Sequence, residues 1–295
     1  MVGPGGVGGL LGAVLSRAGH PVVYVAKPDT AAALNSSGLT VRSVQFGDFH
    51  VPAKAVARLA EPVDVCLVAV KATSLDEALD SVPAQALGDG LVIPLLNGIE
   101  HMIGLRARFP VTQVVAGTIR VESTRVTAGR IDHTSPFSWI EVASDTAPRE
   151  RVDALAAQLQ QAGLDVTVRD DEAALLWDKL ALLAPLALLT TRADAPLGVI
   201  REERRADLEA VTREVAAVAQ AAGAQVDYTM ILGMLDRAPA AMKSSMQRDA
   251  EANRPTELDA IGGSVLRAAQ RHGIDTPVTA RLVNELRTRR TSAER

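Results

Sequence analysis

The sequence has 295 residues, 47% of them hydrophobic, which is enough for two domains with apolar cores. Its net charge of −4 and its aromatic content of 3% argue against the basic field and the stacking surfaces of nucleic-acid-binding proteins. We expect no signal peptide, because no basic-then-apolar segment opens the sequence, and the longest apolar run, Leu180 to Leu189, is too short to cross a bilayer. These features predict a cytoplasmic protein with neither a membrane nor a nucleic acid as partner.

Glycines near the start of the sequence form a pattern typical of dinucleotide binding. Gly3, Gly5 and Gly8 have the spacing G-x-G-x-x-G: the first permits a tight turn, the second lets the backbone approach the phosphates, and the third lets a helix pack closely on the sheet. A helical apolar pattern and then a strand pattern follow, which favours a dinucleotide site over a merely structural turn. The predicted phosphate-binding residues are Gly3, Pro4, Gly5, Gly6, Val7 and Gly8.

The strand that should precede this loop is nearly missing from the sequence. Only Met1 and Val2 come before Gly3, whereas the fingerprint ordinarily follows a complete strand at the centre of the sheet. Loss of a central strand would leave its two neighbours unpaired. We therefore expect the native protein to begin upstream with a short apolar strand.

The first half of the chain alternates strand and helix patterns with short connections. This alternation predicts an α/β fold with a Rossmann-type, doubly wound parallel sheet over residues 1–169. Alternating residues from Gly129 to Val142 further predict a hairpin near the edge of this domain. The strands predicted after the glycine loop are 21–26, 63–70, 91–96, 111–116 and 164–169, and the predicted helices include 31–34, 75–82 and 148–162.

Strand patterns nearly vanish beyond Asp170, where stretches rich in alanine and leucine dominate. Their helical periodicity predicts an all-helical second domain over residues 170–295. The polar tail from Thr288 is expected to be frayed. The predicted helices are 172–190, 202–222, 229–252 and 256–272.

Three polar residues follow predicted strands, where parallel sheets bind their ligands. Lys71 and Asn97 are expected to gather beside the glycine loop. Lys27 stands where an NAD-preferring protein usually has an acid that holds the ribose 2′-hydroxyl, and a lysine there suits a 2′-phosphate. NADPH is therefore the predicted cofactor. The alternative is a solvated surface lysine, which the nearby Asp29 favours slightly.

Two charged residues of the second half have a structural and a functional interpretation. Lys179 begins the longest apolar helical stretch, so it either extends to water or faces a cleft as a general acid. Pro185 is expected to kink this helix, because proline removes a backbone donor. Glu257 is either a first-turn charge of a helix or an acid of the site.

Cys66 is interpreted as a buried thiol, and the histidines lack ligand spacing, so no metal site is predicted.

Short motifs occur in a specific order along the whole chain. They are Gly3-Pro4-Gly5-Gly6-Val7-Gly8-Gly9, Val70-Lys71-Ala72, Leu96-Asn97-Gly98, Trp177-Asp178-Lys179-Leu180, Ser245-Met246 and Arg254-Pro255-Thr256-Glu257-Leu258-Asp259. In this order and spacing the sequence resembles the ketopantoate reductase (2-dehydropantoate 2-reductase) family. Each motif alone is modest, but their combination is specific.

The resemblance implies a role for each motif residue. Lys179 would protonate the keto oxygen as hydride arrives, and Glu257 would bind near the cofactor ribose and this lysine. Asn97 would touch both cofactor and substrate. Lys71 would lie beside the nicotinamide half of the cofactor, and Ser245 would bind the substrate.

Three positions depart from the family, which usually carries asparagines that hold the hydroxyl and carboxylate of the substrate. The matching residues here are Leu183, Ala187 and Leu197. Lys179, Leu183 and Ala187 are spaced four residues apart, so they share one helix face, and that face has lost polar partners. Each lost hydrogen bond would weaken substrate binding by roughly 0.5–1.5 kcal/mol.

The resemblance therefore implies NADPH-dependent reduction of a 2-keto acid to a 2-hydroxy acid, with 2-dehydropantoate as the first candidate substrate. A reductase of a more apolar, branched-chain 2-keto acid is the alternative. A cofactor-binding sensor without turnover is an alternative from another class, against which the retained Lys179, Asn97, Ser245 and Glu257 argue. The sequence leaves the oligomeric state open, with a homodimer as one alternative.

Overall fold

The computed structural model describes residues 1–293, with side chains through residue 289, and it divides into two compact units. Unit 1 comprises Met1–Leu96 and His101–Leu175, and unit 2 comprises Asn97–Glu100 and Leu176–Arg295. The domain boundary expected after residue 169 thus falls inside unit 1, and the short segment Asn97–Glu100 groups with unit 2. Each unit has its own apolar core.

Unit 1 contains strands and helices in alternation. Its strands are β1 (Val23–Val25), β2 (Leu39–Ser43), β3 (Phe49–Val51), β4 (Lys54–Val56), β5 (Val65–Val68), β6 (Leu91–Pro94), β7 (Ala116–Arg120), β8 (Ser123–Thr127), β9 (Arg130–His133), β10 (Trp139–Ala143) and β11 (Asp165–Val168). Its helices are α1 (Gly6–Arg17), α2 (Pro28–Ser37), α3 (Leu75–Asp80), α4 (Ala84–Leu87), α5 (His101–Arg108) and α6 (Arg149–Gln161). Short 3₁₀ turns occupy Ala72–Ser74 and Val111–Gln113.

The main sheet has the strand order of a Rossmann fold. Val2 forms parallel bridges to β1 on one side and to β5 on the other, β4 pairs with β1, and β6 pairs with β5. A parallel bridge joins β6 to Val114. The predicted Rossmann-type α/β fold is confirmed, with the central position occupied by Val2, and β10 adds an antiparallel pairing with β7.

The two residues before the glycine loop occupy the position of the central strand and pair with both of its neighbours. The amide of Val2 donates to the carbonyl of Leu67 at 2.8 Å, and the amide of Val25 donates to the carbonyl of Met1 at 2.8 Å. At this level of the sheet Met1 and Val2 therefore satisfy backbone groups of both neighbouring strands.

The hairpin predicted for residues 129–142 is wrong. Strand β9 pairs with β8 and β2, whereas β10 pairs with β7 and β11 in another sheet. The actual hairpin joins β8 and β9. Sequence patterning missed β8 because most of its residues are exposed and carry no apolar alternation.

Unit 2 is helical, as predicted: its described residues contain no strand. Its helices are α7 (Glu172–Ala193, which begins in unit 1), α8 (Leu197–Glu203), α9 (Arg205–Ala221), α10 (Tyr228–Arg237), α11 (Ser245–Glu251), a π-helical turn (Asp259–Gly263), α12 (Ser264–His272) and α13 (Pro277–Ala293).

Two helical predictions for unit 2 are corrected by the structure. The stretch 229–252 is two helices, because α10 ends before Pro239 and the buried Ser244 caps a new helix. The tail from Thr288 continues α13 through Ala293, because the amphipathic side chains earlier in that helix are anchored in the core. Residues 294 and 295 lie outside the described part of the chain.

Helix α7 is the longest helix of the described chain. It has the length and composition to cross a membrane, with a mean hydropathy of 1.6 over its most apolar 18 residues, but 61% of that stretch is buried within the protein. Such burial is typical of a core helix. The helix is continuous across Pro185, where a kink was expected.

Candidate active site

Steric contacts around the glycine loop explain why glycine is needed there. Gly3 has φ +82°, and a β-carbon on it would lie 2.5 Å from Cγ1 of Val70. A β-carbon on Gly8 would overlap the carbonyl oxygen of Gly3, and one on Gly6 would overlap the backbone of Ser123. The loop can therefore keep this tight path only without side chains at these positions.

Gly5 differs from its neighbours because the space beside it is open. No described atom outside its immediate chain neighbours lies within 4 Å of the position that a β-carbon would take. Gly5 is the N-cap of α1, and the first turn of that helix, from Gly6 to Gly9, is uncharged. Open backbone at the positive end of a helix dipole fits the pyrophosphate of a dinucleotide.

A second element supports the loop and was not identified from the sequence. The hydroxyl of Ser123, at the start of β8, donates to the carbonyl of Gly6 at 2.8 Å. Because the contact joins residues 117 positions apart and one partner is backbone, no local sequence pattern indicates it.

Lys27 lies at the start of α2, and its ammonium pairs with a carboxylate. Nζ of Lys27 lies 2.9 Å from Oε1 of Glu77, which is in the first turn of α3. Both side chains are mostly exposed, at 74% and 66%. Glu77 was not predicted to belong to the site. Lys71, predicted to lie beside the nicotinamide, is half-buried and precedes the 3₁₀ turn after β5.

In unit 2 the structure joins two of the predicted site residues. Nδ2 of Asn97 donates to Oε2 of Glu257 at 2.9 Å, although 160 residues separate them. Glu257 is only 7% exposed. Gly98 has φ +86°, and a β-carbon there would overlap the carbonyl oxygen of Ala260, so glycine lets the turn approach closely.

A second tie anchors the same turn. Nε of Arg267 donates to both carboxylate oxygens of Glu100, at 3.0 and 2.9 Å, and Nη2 donates to Oε2 at 2.6 Å. Arg267 also binds Asp259 in the π-helical turn. The segment Asn97–Glu100 is thus held to unit 2 at both ends, which fixes the amide of Asn97 toward Glu257.

Glu257 immediately precedes the helical segment, and its carbonyl accepts from the amide of Ile261 at 3.0 Å. The π-helical turn that follows packs tightly on α7, since a β-carbon on Gly262 would lie 3.0 Å from Cδ2 of Leu188. Single π-helical turns are rare and are frequent at functional sites. Glu257 is therefore both a helix-start residue and a partner of Asn97.

The face of α7 that carries Lys179 is exposed only in part. Lys179 and Leu183 are half-buried, whereas Ala187 and Leu197 are completely buried in the core of unit 2. The predicted contact of Ala187 and Leu197 with a substrate is not supported by any accessible surface, because both side chains pack against other apolar residues. Leu183 is the residue of the three that presents surface.

The two serines before Met246 have different surroundings. Ser245 is exposed at the first position of α11. Ser244 is buried, accepts from the amide of Gln247 at 3.0 Å, and lies 3.0 Å from the hydroxyl of Thr190 on α7. The structure therefore leaves Ser245 accessible and gives the capping role to its neighbour.

Other reactive groups lie outside these contacts. Burial raises the pKa of the Cys66 thiol, as expected for a thiol inside a strand. Among the described residues, no three His, Cys, Asp or Glu side chains are grouped so that they could hold a metal ion.

A Rossmann unit with an open glycine loop, followed by a helical unit, defines the class of dinucleotide-dependent oxidoreductases. Residues 1–144 match the family model described as ketopantoate reductase PanE/ApbA, and residues 172–290 match its C-terminal model. The chain therefore belongs to the ketopantoate reductase family. Enzymes of this family are NADP-dependent oxidoreductases, and NADPH, the cofactor predicted from the sequence, is the cofactor of the family.

Individual relatives cover almost the whole chain. A 2-dehydropantoate 2-reductase of Mycobacterium tuberculosis is 30% identical over 96% of this chain and 94% of its own length. The crystal structure of 2-dehydropantoate 2-reductase from Geobacter metallireducens has a TM-score of 0.88 at 28% identity, covering 97% of this chain and 98% of that one. D-mandelate dehydrogenase, in a ternary structure with NADH and anilino(oxo)acetate, shares the fold with a TM-score of 0.90 at 20% identity, covering 100% and 98%.

Proposed function

We propose that this chain reduces a 2-keto acid to a 2-hydroxy acid with NADPH, and that 2-dehydropantoate is the first candidate substrate. The observation that carries the proposal is the partly buried hydrogen bond between Asn97 and Glu257, in the unit that also carries Lys179. A protein that only bound the nucleotide would need the glycine loop of unit 1 and none of these three residues.

Unit 1 binds the cofactor. The open backbone at Gly5 and the amide groups at the start of α1 receive the pyrophosphate, and Lys27 binds the 2′-phosphate. Lys71 borders the nicotinamide half. When bound, NADPH supplies the hydride.

Unit 2 supplies the proton and orients the reacting groups. The ammonium of Lys179 donates a proton to the keto oxygen and stabilises the negative charge that develops there, an interaction stronger in the transition state than in the ground state. Glu257, oriented by Asn97, holds the cofactor ribose and the lysine in position, and Ser245 binds the substrate.

The apolar surface at Leu183 supports a second candidate substrate. Leu183 is half-buried and offers no hydrogen bond at a position where the family usually has asparagine. A branched-chain or aromatic 2-keto acid would lose less there than a hydroxylated one. The D-mandelate dehydrogenase structure, bound to anilino(oxo)acetate, supports a wider range of keto acids on this fold.

The test is NADPH consumption by purified protein with a panel of 2-keto acids: 2-dehydropantoate, 2-ketoisovalerate, 2-ketoisocaproate and phenylglyoxylate. Turnover with any of them supports the reductase, and the ranking of kcat/KM decides between hydroxylated and apolar substrates. Tight NADPH binding without turnover on any substrate would support the sensor instead.

Cytoplasmic location and assembly as a homodimer belong to the same proposal. A structure described as dimeric ketopantoate reductase from Staphylococcus aureus supports the homodimer. Light scattering after size exclusion measures the assembly, and a monomer at working concentration would contradict it.

A further inference from the structure

The ion pair between Lys27 and Glu77 combines the two side-chain types that nucleotide-binding proteins use separately. An acid after the second strand usually accepts a hydrogen bond from the ribose 2′-hydroxyl of NAD, and a basic residue accommodates the 2′-phosphate of NADP. Here the basic residue occupies the expected position, and an acid from another helix lies 2.9 Å from its ammonium.

The topology of unit 1 explains how the two residues meet. Lys27 follows β1 and Glu77 lies beyond β5, and both strands are bridged by Val2 in parallel. Their carboxyl ends therefore reach the same edge of the sheet, on the side where the glycine loop begins. The position of Lys27 after β1 predicts that the ribose of a bound dinucleotide lies beside it, and Glu77 lies at the same place.

We propose that Glu77 is a specificity-determining residue that weakens the preference for NADPH and lets the site also accept NADH. This inference rests on the proposed function of unit 1. Glu77 neutralises the ammonium of Lys27 and places a carboxylate beside the 2′-phosphate, which disfavours NADPH. The same carboxylate accepts a hydrogen bond from the 2′-hydroxyl of NADH.

The exposure of the pair sets the size of the effect. Both side chains are mostly exposed, so water and salt screen their attraction and a phosphate can displace Glu77 from Lys27. Glu77 therefore lowers the affinity for NADPH without preventing NADPH from binding. Removing the charge of Glu77 should raise the ratio of NADPH to NADH affinity by about 1.5- to 5-fold, the range of exposed charge interactions.

The test measures binding directly, without turnover. Isothermal titration gives Kd for NADPH, NADH, 2′,5′-ADP and 5′-AMP with the wild type and Glu77→Gln. Asp76→Asn is the matched control. Asp76 is an exposed acid in the same turn of α3, so its substitution removes the same net charge as Glu77→Gln. Both variants are measured at low and high salt.

Glu77→Gln is expected to raise the affinity ratio of NADPH to NADH, and of 2′,5′-ADP to 5′-AMP, while Asp76→Asn leaves both ratios nearly unchanged. High salt should narrow the difference between the variants. Equal changes in the two variants, or no change in Glu77→Gln, would overturn the inference and leave the reductase proposal intact. A wild type that binds none of the four nucleotides would overturn both.

Discussion

The glycine loop of unit 1 and the Lys179 face of unit 2 are built on opposite principles. At the loop the geometry is set by the absence of side chains, since β-carbons on Gly3, Gly6 and Gly8 would meet packed atoms. On α7 the properties are set by which side chains are present, and the half-buried Leu183 follows Lys179 by four residues on the same helix face.

This difference indicates which part of the site can vary. A loop whose backbone touches its ligand tolerates few replacements, because any β-carbon changes the path of the chain. A helix face can exchange a polar for an apolar side chain without changing the backbone. The path of the glycine loop should therefore tolerate little change, whereas the choice of substrate, like the choice between NADPH and NADH at Lys27 and Glu77, should depend on individual side chains.

The largest effect is expected at Lys179. Positioned proton transfer contributes about 10²–10⁴-fold to a rate, roughly 3–5 kcal/mol of barrier, so Lys179→Ala should lower kcat by that order. The Kd for NADPH should stay near the wild-type value, because the charge that Lys179 stabilises exists only near the transition state. Lys54→Ala removes an exposed lysine and is the control. Near-wild-type turnover in Lys179→Ala would remove the proposed acid.

Gly5 tests the other side of the comparison. A β-carbon at Gly5 meets open space in the structure, so Gly5→Ala should keep the melting temperature of the nucleotide-free protein. The added methyl would, however, stand in the path of the pyrophosphate, and overpacking of about 1–3 kcal/mol corresponds to roughly a 5- to 150-fold higher Kd for NADPH.

Gly104→Ala is the control for Gly5→Ala, since Gly104 also has open space and lies within α5. There alanine should stabilise the helix slightly and leave NADPH binding unchanged. If Gly5→Ala binds NADPH as tightly as Gly104→Ala does, the loop does not approach the phosphates as proposed.

Leu183 sharpens the comparison on the substrate side. Leu183→Asn returns a hydrogen-bonding group beside Lys179, and one neutral hydrogen bond is worth roughly 0.5–1.5 kcal/mol. The ratio of kcat/KM for 2-dehydropantoate to that for 2-ketoisovalerate should rise about 2- to 12-fold. Leu182→Asn, at the adjacent half-buried position, is the control. An equal change in both variants would mean that the effect is not specific to this face.

The smallest effect concerns the pH dependence of unit 1, away from both regions. His133 is buried, with Nδ1 2.8 Å from the hydroxyl of Ser43, and burial lowers its pKa below the usual 6.5. Between the lower pKa of the folded state and about pH 6.5, the unfolded chain therefore binds a proton that the folded chain does not. The free energy of unfolding is independent of this group above about pH 6.5, and it decreases as the pH falls toward the folded pKa, by at most about 1.4 kcal/mol per pH unit.

His133→Asn should reduce this pH slope, and His20→Asn should retain it. The free energy of unfolding can be followed at pH 7.5 and about 5.5 through Trp139 fluorescence in a Trp177→Phe background, since Trp139 lies in unit 1 and Trp177 in unit 2. A slope that is the same in both histidine variants would assign the pH dependence to other groups.

The sequence predicted features that depend on local chemistry. The glycine spacing identified the loop and the Rossmann-type fold, because each glycine answers a backbone requirement a few residues away. The helical character of unit 2 followed from apolar periodicity. No helix was predicted over α13. Leu282, Val283 and Leu286 are buried there, but the many polar residues around them hide the apolar periodicity.

Features that depend on distant contacts could not be read in the same way. The motifs named Asn97 and Glu257 separately, and the fold joined them across 160 residues. Glu77 had no motif, because its partner Lys27 lies 50 residues away and the strand order alone brings them together. The hairpin failed for a related reason: apolar alternation gives the faces of a strand, and it does not say which strand lies beside it.

The most direct test of the central claim follows the hydride and counts the product. With the best 2-keto acid from the panel and NADPH deuterated at the transferable position of the nicotinamide, one 2-hydroxy acid should form for each NADPH consumed. Mass spectrometry should find the deuterium on the carbon that carried the keto group. NADPH consumption without a 2-hydroxy acid, or a product without deuterium at that carbon, would contradict the account.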